Sequence, residues 1–344
     1  MRTDEGLTGW GDGFCGIDLL KDRPELVLGR SPFEAEAIFQ EMGGMSRGGV
    51  LPGGLDLALW DLMGKALDRP VCELFGKVVR RQIMPYASVG YQKESWSDLT
   101  RGMVDDLVRW SSERGFRAVK MKTGYGAETD VKLVTAVREA IGPDVKLGID
   151  SGWPGIYDSG TAVALGKRLE PLHLEFWEEP LDESDYEGYR RLRDVLCIPL
   201  ASGEGLSLDA LIKDYIQPRL VDIVQPDLDR IGFSGARKVT FAAWLNRMRI
   251  VPHTWCHTPL RIAATMHWVA CIPHEHGSFV NPPPVLMEWH PPHESVAEEL
   301  TEERIEIDRE TGLMALPEGP GLGLTVIPEV LDKYRDGEVE EVRL

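Results

Sequence analysis

Long apolar runs, net positive charge and closely spaced cysteine pairs are what this sequence lacks, and each absence argues against a class of protein. No run of about 18 apolar residues is present and no signal peptide is recognisable, so no segment is expected to span a bilayer. The formal net charge of −18 argues against nucleic acid and anionic membrane surfaces as partners. The five cysteines show no Cys-x-x-Cys spacing, which favours reduced thiols in the cytoplasm over a disulfide framework.

What the sequence does contain is a ladder of six short apolar runs, each ending in a charged residue or a histidine. The runs recur every 23 to 28 residues, about the length that a strand, a crossover helix and their loops require. Such a repeat predicts βαβ units and a parallel sheet, and 344 residues suffice for a closed barrel of about 250 residues. The strand ends of a barrel meet at one mouth, so six residues are expected to converge: Lys122, Asp150, Glu178, Glu204, Asp227 and His253.

The other elements are placed by pattern. Residues 31–75 read as helical, with Ser31 as an N-cap, and Leu7–Gly11 reads as a strand. The first barrel strand is expected at 84–89 and the last near 275–281, while 282–292 is too proline-rich for regular structure. The intervening helices are expected around 130–141, 160–170, 185–196, 208–216, 234–246 and 256–270, with a short C-terminal helix near 328–335.

Three of the strand ends are acidic and belong to successive units: Asp150, Glu178 and Glu204. Three buried carboxylates cannot all stay ionised without a counter-charge, because desolvation and mutual repulsion raise their pKa values. A divalent cation would supply that charge, and an all-oxygen, carboxylate-rich ligand set suits Mg²⁺. The alternative is that each acid caps the N-terminus of the following helix, as is common in βα turns.

Lys120 and Lys122 lie two residues apart on one predicted strand and so face the same side. A separation of about 6.6 Å gives a repulsion of roughly 2.5 kcal/mol at an effective dielectric constant of about 20. We therefore expect one lysine to have a lowered pKa and to act as a general base. The alternative is that both lysines are simply paired with Asp150 or Glu178.

Asp227 and His253 end neighbouring strands, where a carboxylate can hold one imidazole nitrogen. Such a bond fixes the tautomer and leaves the other nitrogen free as an acid or base. A lone histidine is more often structural, but this one is expected opposite a lysine and across a metal ion. One base on each side of a substrate suits removal of the proton α to a carboxylate, with Mg²⁺ and nearby cations stabilising the ene-diolate.

Together these residues resemble the enolase superfamily and, within it, the mandelate racemase subgroup. The resemblance covers essentially the whole chain and implies an α/β fold: a modified TIM barrel, (β/α)7β, with an α+β capping domain built from both chain ends. The expected division is 1–83 for the capping domain, 84–305 for the barrel and 306–344 for a segment returning to the capping domain. The motifs that carry the resemblance are Gly9-Trp10-Gly11-Asp12, Ala58-Leu59-Trp60-Asp61, Gly64-Lys65-Ala66, Lys120-x-Lys122, Asp150, Glu178-Glu179-Pro180, Gly203-Glu204, Asp227 and His253.

The resemblance also implies a role for each site residue. Asp150, Glu178 and Glu204 would hold one Mg²⁺ per subunit, and Lys120 would neutralise the substrate carboxylate. Lys122 would be one base and the Asp227–His253 dyad the other. The expected reaction is dehydration of a sugar acid to a 2-keto-3-deoxy acid, since most members with this dyad are dehydratases, and racemisation or epimerisation of a 2-hydroxy acid is the alternative. The expected protein is a cytoplasmic homo-oligomer that binds a small carboxylate and neither nucleic acid nor membrane.

Three features depart from the family pattern. The capping domain is expected to lack its first strand and a mobile loop, so a catalytically silent barrel with an open site is a further alternative. The acidic residue at the end of the last strand has no clear counterpart: Glu275 is a candidate, but Phe279 lies nearer the expected strand end. No lysine stands on the sixth strand, where Asp227-Leu228-Asp229-Arg230 is found, which argues against cycloisomerase and dipeptide epimerase activities.

A transition-metal site is another class of alternative. His253, His257, His274 and His276 supply imidazoles at close spacing. His253 is expected to end a strand rather than lie on a helix, so His253 and His257 should point apart.

Overall fold

The computed structural model describes residues 1–45, 51–152, 155–255, 258–274, 284–290, 299–336 and 338–343. The part before the barrel is helical, with α1 (Ile17–Asp22), α2 (Ala35–Glu41), α3 (Gly53–Leu67) and α4 (Val71–Phe75). Ser31 caps the turn that leads into α2, as predicted. The strand predicted over Leu7–Gly11 is wrong: Thr8 makes only an isolated bridge to Arg2. The backbone N–H of Trp10 donates instead to the Asp61 carboxylate of α3 (2.8 Å), so a side chain replaces a neighbouring strand.

Eight parallel strands form the centre of the protein. Each strand from β1 to β6 pairs with the next one along the chain, and β8 pairs with β1. The N–H of Glu288 in β8 donates to the carbonyl of Pro252 just beyond β7 (3.2 Å), which closes the ring. The strands are β1 (Gln82–Val89), β2 (Ala118–Lys122), β3 (Lys146–Asp150), β4 (Phe176–Glu178), β5 (Leu200–Ser202), β6 (Ile223–Val224), β7 (Arg249–Ile250) and β8 (Leu286–Trp289).

A helix follows each of the first seven strands, so the described residues form the predicted (β/α)7β barrel. The helices agree with the predicted ranges to within a few residues, apart from α10, which begins six residues earlier than expected. Across the described ranges, no helix combines the length and the apolar character needed to cross a membrane. The helices are α5 (Leu99–Val108), α6 (Ala127–Ile141), α7 (Ser159–Leu169), α8 (Tyr186–Val195), α9 (Leu208–Ala210, continued by a π-helical turn to Ile216), α10 (Leu228–Leu245) and α11 (Pro259–Cys271).

The last barrel strand is where the prediction was wrong. It was expected near 275–281, which falls within residues that the structure does not describe, and 282–292 was expected to be irregular. The structure instead places β8 at Leu286–Trp289, inside the proline-rich stretch, with Met84 of β1 opposite Leu286. The prolines of this stretch flank the strand without entering it, so none of them removes a ladder hydrogen bond.

The C-terminal segment packs on both the barrel and the helical part. A hairpin of β9 (Ile307–Asp308) and β10 (Leu313–Ala315) pairs antiparallel with the start of β1. The N–H of Leu322 then donates to the Asp61 carboxylate of α3 (2.8 Å), and α12 (Pro328–Tyr334) follows. These contacts lie where the returning segment was expected, while the domain boundaries themselves stay a prediction.

Helix α10 is kinked where it meets α3. Gly232 has φ 55° and ψ −175°, a conformation that favours glycine, and a Cβ there would lie 2.5 Å from an Asp56 oxygen. The Asp56 carboxylate accepts hydrogen bonds from the N–H (2.9 Å) and hydroxyl (2.6 Å) of Ser234. Asp56 of α3 therefore caps the second half of α10, and this contact holds the helical part against the barrel.

Candidate active site

The barrel interior is closed below its mouth by a cluster of buried side chains, here called the barrel floor: Tyr86, Ala118, Phe176, Ala201, Ile223, Val251 and Leu286. Side chains alternate across a strand, so the residue two positions further along points to the same interior, one layer nearer the mouth. The layer above the floor is polar and consists of Lys120, Glu178, Gln225, His253 and Glu288. Asp150 joins this layer, because it pairs in register with Glu178 and its Oδ2 lies 3.0 Å from Lys120 Nζ.

Lys120 stands at the centre of this polar layer and is 2% exposed. Its Nζ lies 2.7 Å from Glu178 Oε1, 2.9 Å from Glu288 Oε1 and 3.0 Å from Asp150 Oδ2. Burial by itself would lower the pKa of Lys120, but these carboxylates outweigh it and hold the pKa well above its ordinary value. Lys120 is therefore a fixed positive charge.

Lys122 lies one layer nearer to solvent. Its Nζ is 2.5 Å from Asp150 Oδ2 and 5.3 Å from the ring centre of Tyr91. Burial lowers the pKa of Lys122, but the Asp150 carboxylate more than offsets it, so the pKa lies above its ordinary value. With the protein's own groups alone, the lowered lysine pKa expected from the sequence is not found, because the Asp150 carboxylate outweighs burial and the repulsion from Lys120. A cation bound at Asp150 would act in the opposite direction and lower the pKa of Lys122. The ion-pairing alternative describes the arrangement found.

The three acids predicted to bind metal line the mouth at consecutive strands. Asp150 Oδ1 accepts from the Gly152 N–H (2.7 Å), and Glu178 Oε2 accepts from Gln225 Nε2 (2.6 Å). Glu204 Oε2 lies 2.9 Å from His253 Nε2. They are not helix caps, because α7, α8 and α9 are capped by Asp158, Asp185 and Ser207. The capping alternative is therefore excluded.

Asp227 and His253, the predicted dyad, are in direct contact. His253 Nδ1 lies 2.8 Å from Asp227 Oδ2, and Asp227 Oδ1 accepts from Arg261 Nη1 (2.7 Å). Burial would raise the pKa of Asp227, but Arg261 and His253 together lower it to about 2. Burial would lower the pKa of His253, but Glu288 and Glu204 raise it well above its ordinary value. Asp227 therefore stays a carboxylate and orients the imidazole.

Glu288 is the site residue that the sequence analysis missed. One oxygen contacts Lys120, and the other lies 3.4 Å from His253 Nε2 and accepts from the Thr254 N–H (2.9 Å). It is the acid of the last strand, for which Glu275 was the candidate although Phe279 lay nearer the expected strand end; Glu275 and Phe279 both lie outside the described residues. The signal was the pattern Leu286-x-Glu288, an apolar residue two positions before a charged one, as in Phe176-x-Glu178.

The charge balance of the site fits a divalent cation. Burial, reinforced by the Asp150 carboxylate, raises the pKa of Glu178 to about 8, and burial with Glu204 raises that of Glu179 to about 9. These shifts mark a surplus of negative charge, and the available donors are carboxylate oxygens, which suit Mg²⁺. In the described ranges no three acidic, histidine or cysteine side chains are arranged around a common metal position. Lys120 lies between Asp150 and Glu178, and Glu204 contacts His253.

A family model described as "Enolase C-terminal domain-like" matches residues 102–330. The chain belongs to the enolase superfamily. Mandelate racemase-like neighbours agree: a putative mandelate racemase from Bordetella bronchiseptica RB50 superposes with a TM-score of 0.82 at 28% identity, over 98% of this chain and 91% of that one. Membership of the enolase superfamily implies a divalent metal ion, in keeping with the acidic site.

The relatives of this chain include a cycloisomerase and a dehydratase. This chain is 31% identical to D-galactarolactone cycloisomerase of Agrobacterium fabrum, over 97% of this chain and 90% of the relative. It is 30% identical to arabinonate dehydratase of Saccharolobus solfataricus, over 92% of this chain and 80% of the relative. Among solved structures, the 3,6-anhydro-D-galactonate cycloisomerase of Zobellia galactanivorans has a TM-score of 0.84 and 33% identity, over 98% of this chain and 93% of that one.

The transition-metal alternative finds no support in the described histidines. Both nitrogens of His253 face carboxylates, and His274 Nδ1 lies 3.4 Å from an Arg80 nitrogen. His257 and His276, the other two residues of that alternative, lie outside the described residues. The imidazoles that are described do not converge.

Proposed function

We propose that this protein removes the proton α to the carboxylate of a sugar acid and expels the β-hydroxyl as water, giving a 2-keto-3-deoxy acid. One observation carries the proposal: Lys122 ends β2 and His253 follows β7, and the acids of β3 to β5 lie along the arc of the mouth between them. Each has a carboxylate partner, Asp150 for Lys122 and Asp227 for His253, and the apolar barrel floor lies beneath both.

The protein's own groups divide the reaction between them. Lys122 or His253 takes the α-proton, and the electron pair left behind forms a C=C bond as the β C–O bond breaks. His253 in its protonated form donates to the leaving hydroxyl through Nε2, because Nδ1 is held by Asp227. The resulting enol then becomes the keto acid. Lys120, charged and buried, stabilises the negative charge on the substrate carboxylate.

A bound Mg²⁺, one per subunit, would be held by Asp150, Glu178 and Glu204 and would stabilise charge on the acid's oxygens. Glu288 would keep Lys120 and His253 in place. A small carboxylic acid is therefore the proposed substrate. The homo-oligomeric state and cytoplasmic location expected from the sequence stay predictions.

The test is turnover by purified protein with Mg²⁺ against mono- and diacid sugars, followed as 2-keto acid. Lys122→Ala and His253→Asn are each expected to abolish turnover while far-UV circular dichroism stays unchanged. An active His253→Asn variant would reject the two-base assignment. Racemisation would appear as an inverted α-carbon without 2-keto acid, and a silent barrel would exchange no α-proton for deuterium.

A second candidate, cycloisomerisation of a sugar acid, is favoured by the names of the two relatives at 31% and 33% identity. A ring C–O bond would break in place of the bond to a hydroxyl, so no water would be released. The sequence analysis argued against cycloisomerases because Asp227 stands where a sixth-strand lysine would be. That argument does not apply to ring opening of a sugar acid, because Lys122 and His253 can supply the base and the acid.

A further inference from the structure

Three aromatic side chains stand together at the barrel mouth, beside Lys122. Tyr91 follows β1, Trp255 follows β7 and His290 follows β8, so they come from strands that are adjacent in the ring. The rings of Trp255 and His290 have centroids 4.7 Å apart at a tilt of 39°, and Tyr91 stands edge-on to both at 6.2 and 5.4 Å. We call these three residues the aromatic wall.

The aromatic wall adjoins the proposed catalytic groups. Lys122 Nζ lies 5.3 Å from the centre of the Tyr91 ring, and Trp255 is two residues beyond His253. Trp255 is nevertheless 50% exposed, although one of its neighbours is the His290 ring. About half of the indole surface is therefore accessible to solvent, and Tyr91 connects the indole to Lys122.

A half-exposed indole beside polar groups selects for shape as well as for charge. The ring of a sugar presents several C–H groups on one side, and these pack flat on an aromatic face. An open-chain polyol carries hydroxyls on every side and offers no continuous apolar patch. We infer that the aromatic wall binds the ring of a cyclic sugar acid, such as a lactone with one free carboxylate, and so determines specificity for that substrate class. This inference rests on the α-proton removal proposed for the site, which dehydration and cycloisomerisation have in common.

The chemistry of a cyclic acid balances with the residues already described. In the 1,4-lactone of a hexaric acid, the carbon next to the free carboxylate carries the α-proton, and the next carbon carries the ring oxygen. Removal of the proton forms the C=C bond, the ring C–O bond breaks, and the oxygen leaves as part of a carboxylate. The enol becomes a keto acid with no gain or loss of water. The open-chain hexarate loses water to give the same class of product, so one 2-keto acid assay follows both.

The experiment compares the lactone with the open-chain hexarate in four forms of the protein: wild type, Trp255→Ala, Trp255→Phe and Trp244→Ala. Trp244 is a matched control, since it is 44% exposed but lies on α10, away from the mouth. Trp255→Ala is expected to lower kcat/KM for the lactone by about tenfold, mainly through KM, because an apolar contact is lost. The open-chain acid should change less than about twofold, Trp255→Phe should retain most lactone activity, and Trp244→Ala should behave as wild type.

Equal losses for both acids in Trp255→Ala, or no loss for either, would overturn the inference. Failure of the proposed α-proton removal would look different, because wild type would then turn over neither acid. In that case calorimetric titration with the lactone and Mg²⁺ decides the matter. Lactone binding that is weakened in Trp255→Ala but kept in Trp244→Ala supports the wall, and absent or unchanged binding overturns it.

Discussion

Arg261 is the clearest place to test the energetics of the site. It lies in α11, its side chain is 6% exposed, and its Nη1 donates to Asp227 Oδ1 at 2.7 Å. Its Nε donates to the carbonyl of Asp12 (2.9 Å), and Nη2 lies 3.3 Å from an Asp12 carboxylate oxygen. Arg261 thus ties the N-terminal segment to the carboxylate that orients His253.

Substitution Arg261→Met keeps the length and removes the charge. Asp227, 3% exposed, would then be a buried carboxylate with only the histidine opposite. Breaking a buried pair by removing one partner costs about 3–5 kcal/mol, because the remaining charge stays desolvated. Urea unfolding should therefore shift by about 1 M or more to lower concentration. The control is Arg168→Met, whose partner Glu128 is on the surface, and no measurable shift is expected there.

The double variant Arg261→Met, Asp227→Asn checks the reasoning. A neutral amide needs no counter-ion and can still accept from the Asp229 N–H, so the double variant should be more stable than Arg261→Met alone. If Arg261→Met lay within about 1 kcal/mol of wild type, or if the two losses simply added, the pair would not be the source of stability.

Three further predictions concern other acids. Glu288→Gln should lower kcat by about 10²-fold or more with far-UV circular dichroism unchanged, because the charge between Lys120 and His253 is lost. A variant with the kcat of wild type would show that Glu288 has no role in the reaction. Burial raises the pKa of Asp56 to about 7 from 3.8. Between about pH 4 and 7 the unfolded chain has lost a proton that the folded protein keeps, so the Asp56 contribution to stability falls as pH rises. The stability of Asp56→Asn relative to wild type should therefore increase over that range in urea titrations, and a flat difference would contradict the buried acid. Glu178→Gln should weaken Mg²⁺ binding measured by calorimetry, and unchanged affinity would show that Glu178 is not a ligand.

The barrel and most of its mouth could be predicted because the strand–helix period and the charged strand ends are local patterns. An apolar run precedes each of four site residues: Lys120, Asp150, Glu178 and His253. Parallel pairing of the strands then brings these residues together at one mouth. Glu288 could not be placed, since the prolines around β8 hid a four-residue strand whose identity depends on pairing with β1. Arg261 was missed for another reason: it reaches Asp227 from a helix, and nothing in the spacing indicates that contact.

Electrostatics was the other limit of the sequence. Lys120 and Lys122 were placed correctly, but their pKa values depend on how many carboxylates approach them, and Glu288 was not known. The aromatic wall likewise combines three loops that are far apart along the chain. The lysine pKa values and the aromatic wall therefore depend on the pairing of β8 with β1, which the sequence alone does not indicate.

The barrel floor has a consequence for substrate entry and product release. Tyr86 and Phe176 meet edge to face, with centroids 5.6 Å apart, and their neighbours in the floor leave almost no surface accessible to water. Among the described residues the floor is packed closed, so reactant and product are expected to enter and leave through the same mouth. A departing keto acid then occupies the place that the next molecule needs, and accumulated product is expected to inhibit competitively.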